Sequence, residues 1–232
     1  MKVKICGIKT AEDIQTVIDS DADAVGFLIG QLHASKDFVL PSTAARLVEM
    51  LPPYISPVIV THLFESDPIL EIVLKTGITT IQLHGKCSVE EVKKLRDSLP
   101  LNSKLIISTY VVDSCCEPEP SDYYSYVDAV LLDCYNKEPG MIGVKEKEPT
   151  KYHNWAFAAE FVKKCPLPVI LAGGLSTENV AEAIKTVMPF GIDANTGLRD
   201  ENTGDRSLKK CREFIRKARI TSTSIMPSHF ER

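Results

Sequence analysis

The chain is predicted to fold as a single (β/α)8 TIM barrel. Three observations predict it. Short β-rich runs alternate with amphipathic stretches from one end to the other. There are eight such runs, at 3–6, 24–29, 57–63, 79–83, 104–109, 129–133, 169–172 and 190–195. The length of 232 residues suits one α/β barrel as well as two small domains, so the alternation decides. Because no reversal of strand order has to be invoked, a closed barrel is favoured over an open doubly wound sheet.

The first run, Val3-Lys4-Ile5-Cys6, stops at Gly7. Thr10 then offers a side-chain cap ahead of Ala11-Glu12-Asp13, and Ile14, Val17 and Ile18 recur at helical spacing. Ser42 has the same place before Ala44-Ala45-Arg46. Ser88 precedes Val89-Glu90-Glu91, with Glu91 at the capping-box distance and Val92, Leu95 and Leu99 forming an apolar face. The fifth helical segment is the weakest, since 116–125 is rich in proline, serine and acid, and is expected to be short or irregular. After the seventh run, Gly173-Gly174 turn toward a helix expected to start near Ser176, ahead of Glu178-Asn179-Val180. The barrel is placed at 1–219. Residues 220–232 are polar and aperiodic, and are expected to form a mobile tail with no catalytic role.

Bulk composition removes several classes of function. A formal net charge of −4 gives no electrostatic reason to bind nucleic acid. No apolar run approaches the roughly 20 residues of a membrane helix, and the start of the chain lacks the apolar core of a signal peptide, so a cytoplasmic protein is expected. Seven cysteines in a chain this long are no disulfide framework and match no usual zinc spacing. Vicinal Cys115-Cys116, beside Glu117-Pro118-Glu119-Pro120, are read as free thiols in a surface loop.

In a barrel, the loops that follow the strands share one rim, and the rim carries the chemistry. It would hold Cys6, the 30–38 loop, His62, Gln82, His84, Asp133, Gly173, Gly174, Asn195, Thr196 and Gly197. Two glycine turns after the seventh and eighth strands present main-chain N–H groups to a phosphate, although glycines there also serve simply to turn a strand into a helix. Cys6 is either an inert buried thiol, the commoner fate of a cysteine, or a base or nucleophile if its pKa falls near neutrality. Asp133, at the tip of Val130-Leu131-Leu132, is either a general acid raised by desolvation or a carboxylate paired to Lys137, Lys145 or Lys147. A lone His62 is more often structural than catalytic.

Taken together these residues resemble the phosphoribosylanthranilate isomerase family. The resemblance runs through Lys4-Ile5-Cys6-Gly7-Ile8, Ala22-Asp23-Ala24-Val25-Gly26-Phe27, Ile81-Gln82-Leu83-His84-Gly85, Leu131-Leu132-Asp133, Ala172-Gly173-Gly174-Leu175 and Pro189-Phe190-Gly191-Ile192-Asp193 with Thr196-Gly197. It implies an Amadori rearrangement of an aminoaldose phosphate in tryptophan biosynthesis, without cofactor or metal and compatible with a monomer. It further implies that the residue aligned with Cys6 is the base and the one aligned with Asp133 the acid. The turns aligned with Gly173-Gly174 and Asn195-Thr196-Gly197 would hold the phosphate.

The chain departs from the family where the arylamine is read. The family's arginine for the anthranilate carboxylate falls where this chain has Asp37, in Ala34-Ser35-Lys36-Asp37-Phe38. Lys36, His33 or Arg199 is then expected to supply the counter-charge, with Gln82 and His84 as further substrate contacts, although a lysine does not reproduce a bidentate guanidinium. Two alternatives stay open: the same rearrangement on a different phosphoribosylated amine, and a phosphosugar-binding barrel without catalysis. An epimerase-like reaction ranks lower, for want of a pair of acid/base carboxylates and a metal set on the rim.

Overall fold

The pleat of the first strand, β1 (Lys2–Cys6), sorts its residues onto two faces. Val3 and Ile5 pack outward among helices, while Lys4 and Cys6 turn into the barrel. The computed structural model describes residues 1–32, 35–112, 114–134 and 154–225. The same alternation recurs in β2 (Ala24–Leu28), β3 (Ser56–Thr61), β4 (Thr80–Leu83) and β5 (Lys104–Val112). After a short β6 (Cys115–Glu117) it continues in β7 (Ala129–Asp133), β8 (Val169–Ala172) and β9 (Gly191–Ala194). Outward residues such as Phe27, Ile59, Ile81, Ile107, Leu132 and Leu171 are fully buried, each contributing about 1.5–3 kcal/mol. Two small apolar layers fill the inside: Cys6, Val58 and Val60 on one side, and Ile106, Ala129, Leu131 and Ala172 on the other.

The barrel strands run in the order β4-β3-β2-β1-β9-β8-β7-β5, all parallel, and the pairing of β4 with β5 closes the ring. Register decides which tips are neighbours. Cys6 stands beside Gly26, Tyr110 beside Asp133, and Asp133 beside Ala172. The expected eight-stranded closed barrel is therefore the observed one.

Around it lie α1 (Ala11–Ser20), α2 (Pro41–Val48), α3 (Ser66–Thr76), α4 (Val89–Ser98), α5 (Trp155–Lys164), α6 (Val180–Val187) and α7 (Leu208–Ile225). Thr10 caps α1 in a full capping box with Asp13. The cap expected at Ser42 is displaced: Pro41 opens α2, its fixed φ and missing N–H suiting the first helical position. Ser88 caps α4, but the Glu91 carboxylate accepts from Ser66 N at 2.7 Å instead of closing the box. The helix expected from Ser176 begins only at Val180, because the Ser176 amide is taken by Asn179 Oδ1 at 2.9 Å in a separate turn. Between β5 and β7 the crossover is a 3-10 turn, Pro120–Tyr123, as irregular as its composition suggests. Cys115 and Cys116, expected in a loop, lie on β6, paired antiparallel to β5, with Cys115 exposed, Cys116 half-buried and both thiols free.

The boundary placed after residue 219 also moves. α7 continues to Ile225 and buries Thr221 and Ser222. Ser222 and Thr223 hydroxyls donate to Arg219 O, and Ser224 to Thr221 O, so a polar segment keeps its helical backbone by bonding to carbonyls one turn back. The remaining tail residues, 226–232, lie outside the described residues. A chain ended after residue 219 should melt below one ended after residue 225, by about 2–4 °C for each kcal/mol lost. Equal melting temperatures by circular dichroism would show that this last turn contributes nothing.

Candidate active site

At the C-terminal ends of the strands the barrel opens into a cavity of about 350 Å³. Cys6, Asp133, Gly173, Gly174, Asn195 and Thr196 share its wall, together with Gln82, His84 and His62. Six different strands thus deliver the expected chemistry to one space. Gly197, Lys36 and Arg199 are not on that wall. Gly197 packs behind it against the Leu175 carbonyl, joining the turn after β9 to the turn after β8. Lys36 is exposed on the surface, and His33 lies outside the described residues.

The floor is polar, which periodicity alone did not reveal. Lys4 Nζ is buried 2.6 Å from Asp193 Oδ2 and 2.9 Å from Gln82 Oε1. It also acts electrostatically on the Cys6 sulfur. Gly26 makes the room: a Cβ there would stand 2.7 Å from Cys6 Sγ and 3.2 Å from Lys4 Nζ. Burial works against the ammonium, but Asp193 and then Cys6 outweigh it and hold Lys4 above the ordinary lysine range. Burial pushes the Cys6 thiol up to about 11, with Lys4 and Arg206 pulling it down and Asp193 adding to the rise. Of the two states left open for this thiol, the geometry favours the raised one and not one near neutrality; removal from water outweighs the two cations.

Gly173 and Gly174 have φ of +93° and +61°, the left-handed backbone in which successive N–H groups turn toward one point. Since α6 starts at Val180, that concavity belongs to the turn itself and not to a helix end.

Arg199, expected as a counter-charge for the substrate, is committed elsewhere. Its Nη2 donates to Asp37 Oδ1 at 2.7 Å and to Gly7 O at 3.1 Å, and its Nη1 to Gly204 O at 2.9 Å. The acid at position 37 has captured the arginine. Asn195 Nδ2 donates to the other Asp37 oxygen at 2.9 Å, and buried Arg206 donates to Cys6 O, to Asn195 O at 2.7 Å and to Asn195 Oδ1 at 3.0 Å. These contacts clasp the loops after β1, β2 and β9 around Gly7. Gly7 has φ +78°, and a Cβ there would meet Asn195 and Asp37 at 2.7–2.8 Å. The Asn195 side chain, expected near phosphate, thus serves the clasp.

Opposite the two glycine turns, His62 and His84 stand edge to face with centroids 5.1 Å apart, and Tyr110 lies 5.5 Å beyond His84. Tyr110 Oη donates to His84 O at 2.8 Å, and its phenol is raised by burial and then by Asp133. Sequence reasoning missed Tyr110 and Arg206, along with the floor role of Lys4. Among the described residues no group of three or more His, Cys, Asp or Glu is placed to hold a metal ion.

Comparison with known proteins agrees with this geometry. A family model described as N-(5'-phosphoribosyl)anthranilate (PRA) isomerase matches residues 3–217. A Methanosarcina mazei relative named N-(5'-phosphoribosyl)anthranilate isomerase 2 is 39% identical over 222 residues, covering 94% of both chains. A Methanocella arvoryzae relative named N-(5'-phosphoribosyl)anthranilate isomerase is 33% identical over 220 residues, covering 95% of this chain and 99% of its own. Among solved structures, phosphoribosyl anthranilate isomerase from Thermotoga maritima superposes with TM-score 0.75 at 29% identity, over 94% of this chain and 98% of its own. A phosphoribosyl anthranilate isomerase in complex with reduced 1-(o-carboxyphenylamino)-1-deoxyribulose 5-phosphate gives 0.74 at 27%, with the same coverage.

The raised thiol sets an expectation for reactivity. Alkylation of Cys6 by iodoacetamide, followed by peptide mapping to separate it from exposed Cys115, should rise roughly tenfold per pH unit from about pH 7 to 10. It should level off near the thiol's value of about 11. Lys4→Met removes the adjacent cation and should move that plateau to higher pH. A rate already flat at pH 7 would mean that the sulfur is a thiolate at rest.

Proposed function

The chain belongs to the N-(5'-phosphoribosyl)anthranilate isomerase family and is an aldose–ketose isomerase of tryptophan biosynthesis, and on that premise we propose that Cys6 is its general base and Asp133 its general acid. The reaction converts N-(5'-phosphoribosyl)anthranilate to 1-(o-carboxyphenylamino)-1-deoxyribulose 5-phosphate. Asp133 protonates the ring oxygen of the furanose, and the C1′–O bond breaks to leave a protonated Schiff base. The thiolate of Cys6 then removes the C2′ proton, and the electron pair moves to give an enolamine. Return of a proton to C1′ and loss of the 2′-hydroxyl proton, which restores the acid form of Asp133, yield the ketone. No electrons leave the substrate.

One observation carries this reading: the sulfur and the carboxylate wall the same cavity from strands on different sides of the ring, with the glycine turn between them. Main-chain amides of the turns at 173–174 and 195–197 are assigned to the phosphate, supported by the paired left-handed glycines and by the contact between the two turns. Lys4 is assigned to stabilise the thiolate as it forms. A cation held beside the sulfur favours the charged form and offsets part of the burial that raises the thiol. A monomer is proposed as the working unit. We place the reaction in the cytoplasm, where thiols such as Cys6 stay reduced.

Turnover is read by the loss of anthranilate fluorescence. Cys6→Ser and Asp133→Asn should each lower kcat by about 10²- to 10⁴-fold while leaving affinity for the reduced product within a few-fold. A Cys6→Ser enzyme at the parental rate would remove the thiol from the mechanism.

A further inference from the structure

Just past the sulfur-bearing residue, the main chain at the end of β1 presents two N–H groups and two carbonyls. The donors, Gly7 N and Ile8 N, both reach Gly26 O at 3.0 Å. The acceptors, Cys6 O and Gly7 O, both take hydrogen bonds from Arg206 Nη2, the second at 3.3 Å. Arg206 Nη1 donates to Asn195 O at 2.7 Å, and Nη2 to Asn195 Oδ1 at 3.0 Å. One planar guanidinium therefore spans the end of β1 and the turn after β9.

The chain delivers this side chain from a closed turn backed by a packed helix. An antiparallel bridge joins Arg206 to Arg199, Ser207 N donates to Leu198 O at 3.0 Å, and Asp200 N donates to Asp205 O at 2.8 Å. Asp200 Oδ1 closes the turn by accepting from Asn202 N at 2.9 Å and Thr203 N at 3.1 Å, and Gly204 supplies its left-handed residue at φ +75°. Two residues beyond Arg206, α7 begins and buries Cys211 and Phe214. The four acceptors that Arg206 meets are neutral, so carbonyl dipoles answer its charge. Burial and then Arg199 disfavour that charge, while Cys211, Asp13 and Cys6 favour it.

We infer that Arg206 is the positioning residue of the general base: its guanidinium fixes the Cys6–Gly7 peptide to the turn after β9 and sets a positive charge beside the thiolate. The inference rests on the assignment of Cys6 as the base. Rotation of the Cys6–Gly7 peptide would swing the strand tip that carries the sulfur, and a misplacement of about 1 Å costs on the order of 10² in rate. Because the same guanidinium holds Asn195 O, the sulfur and the turn assigned to phosphate keep one spacing.

The test compares Arg206→Met and Arg206→Lys in the full chain, with turnover followed by anthranilate fluorescence and Cys6 alkylation followed by peptide mapping. Arg206→Met should lower kcat by roughly 10- to 100-fold, with affinity for the reduced product falling by less. Alkylation of Cys6 at about pH 9 should slow several-fold, because the thiolate loses a neighbouring cation. Arg206→Lys keeps the charge without the planar fork, so it should restore the alkylation rate and give a kcat between those of the parent and Arg206→Met. Parental kcat in either variant overturns the inference. So does alkylation that speeds up in both, the mark of a residue that only keeps the barrel mouth closed. Should Arg206→Met fail to fold by circular dichroism, the lysine variant decides: reduced kcat at the parental alkylation rate supports the inference, and parental kcat overturns it. A Cys6→Ser enzyme at the parental rate overturns the base assignment and the inference with it, whereas parental Arg206 variants beside an inactive Cys6→Ser overturn the inference alone.

Discussion

A lysine ammonium inside a β-barrel is an unfavourable object unless something answers its charge, and here Asp193 does so at 2.6 Å. That ion pair is the constraint around which the rest of the site is arranged. Lys4 and Cys6 are two residues apart on one strand, so the pleat alone places sulfur above ammonium. Asp193 comes from β9, whose following turn meets the turn after β8. Gln82 comes from β4, where its amide is oriented by the same ammonium. One buried charge therefore links Cys6, the turns after β8 and β9, and the tip of β4. A hydrocarbon of similar length would fill the space, but it would leave the thiol with burial and no nearby cation on its own strand, and the Gln82 amide with no preferred orientation.

Above this floor the loops are held by a second electrostatic device. Asp37, Arg199, Asn195 and Arg206 converge on Gly7 and tie three loops together. An acid at position 37 is incompatible with gripping a substrate carboxylate, yet it suits capture of Arg199. The Arg199 guanidinium thus fixes the mouth of the cavity.

Much of this was legible in the amino-acid order. Eight apolar runs of strand length identified every barrel strand and nearly every rim position, because a parallel barrel buries both faces of its strands and leaves only their tips for chemistry. Cys6, Asp133 and the glycine turns were found this way. The polar floor was harder to see, since Lys4, Gln82 and Asp193 each interrupt an apolar run singly. The signal was present: each falls at the inward phase of its strand, where an isolated charge must meet a partner. Arg199 and Arg206 could not be placed, because nothing local tells whether a long cation reaches inward or folds back onto loop carbonyls. The end of α7 was misjudged for a simpler reason. A Thr-Ser-Thr-Ser segment lacks apolar periodicity, yet its hydroxyls bond to the preceding turn and keep the helix going. Likewise the delayed start of α6 depends on Asn179 reaching back to Ser176, a contact that competes with helix initiation at the serine.

The central claim is spatial: a phosphosugar lies across the barrel mouth with its anionic end on the turns at 173–174 and 195–197 and its reacting carbons between residues 6 and 133. The crystal structure of this protein with the reduced product measures that directly. The account predicts phosphate oxygens on the main-chain amides of those turns, the first two sugar carbons flanked by Cys6 Sγ and the Asp133 carboxylate, and the Lys4 ammonium beneath them. Phosphate bound at the β3 and β4 tips, or a sugar out of reach of both residue 6 and residue 133, would contradict it.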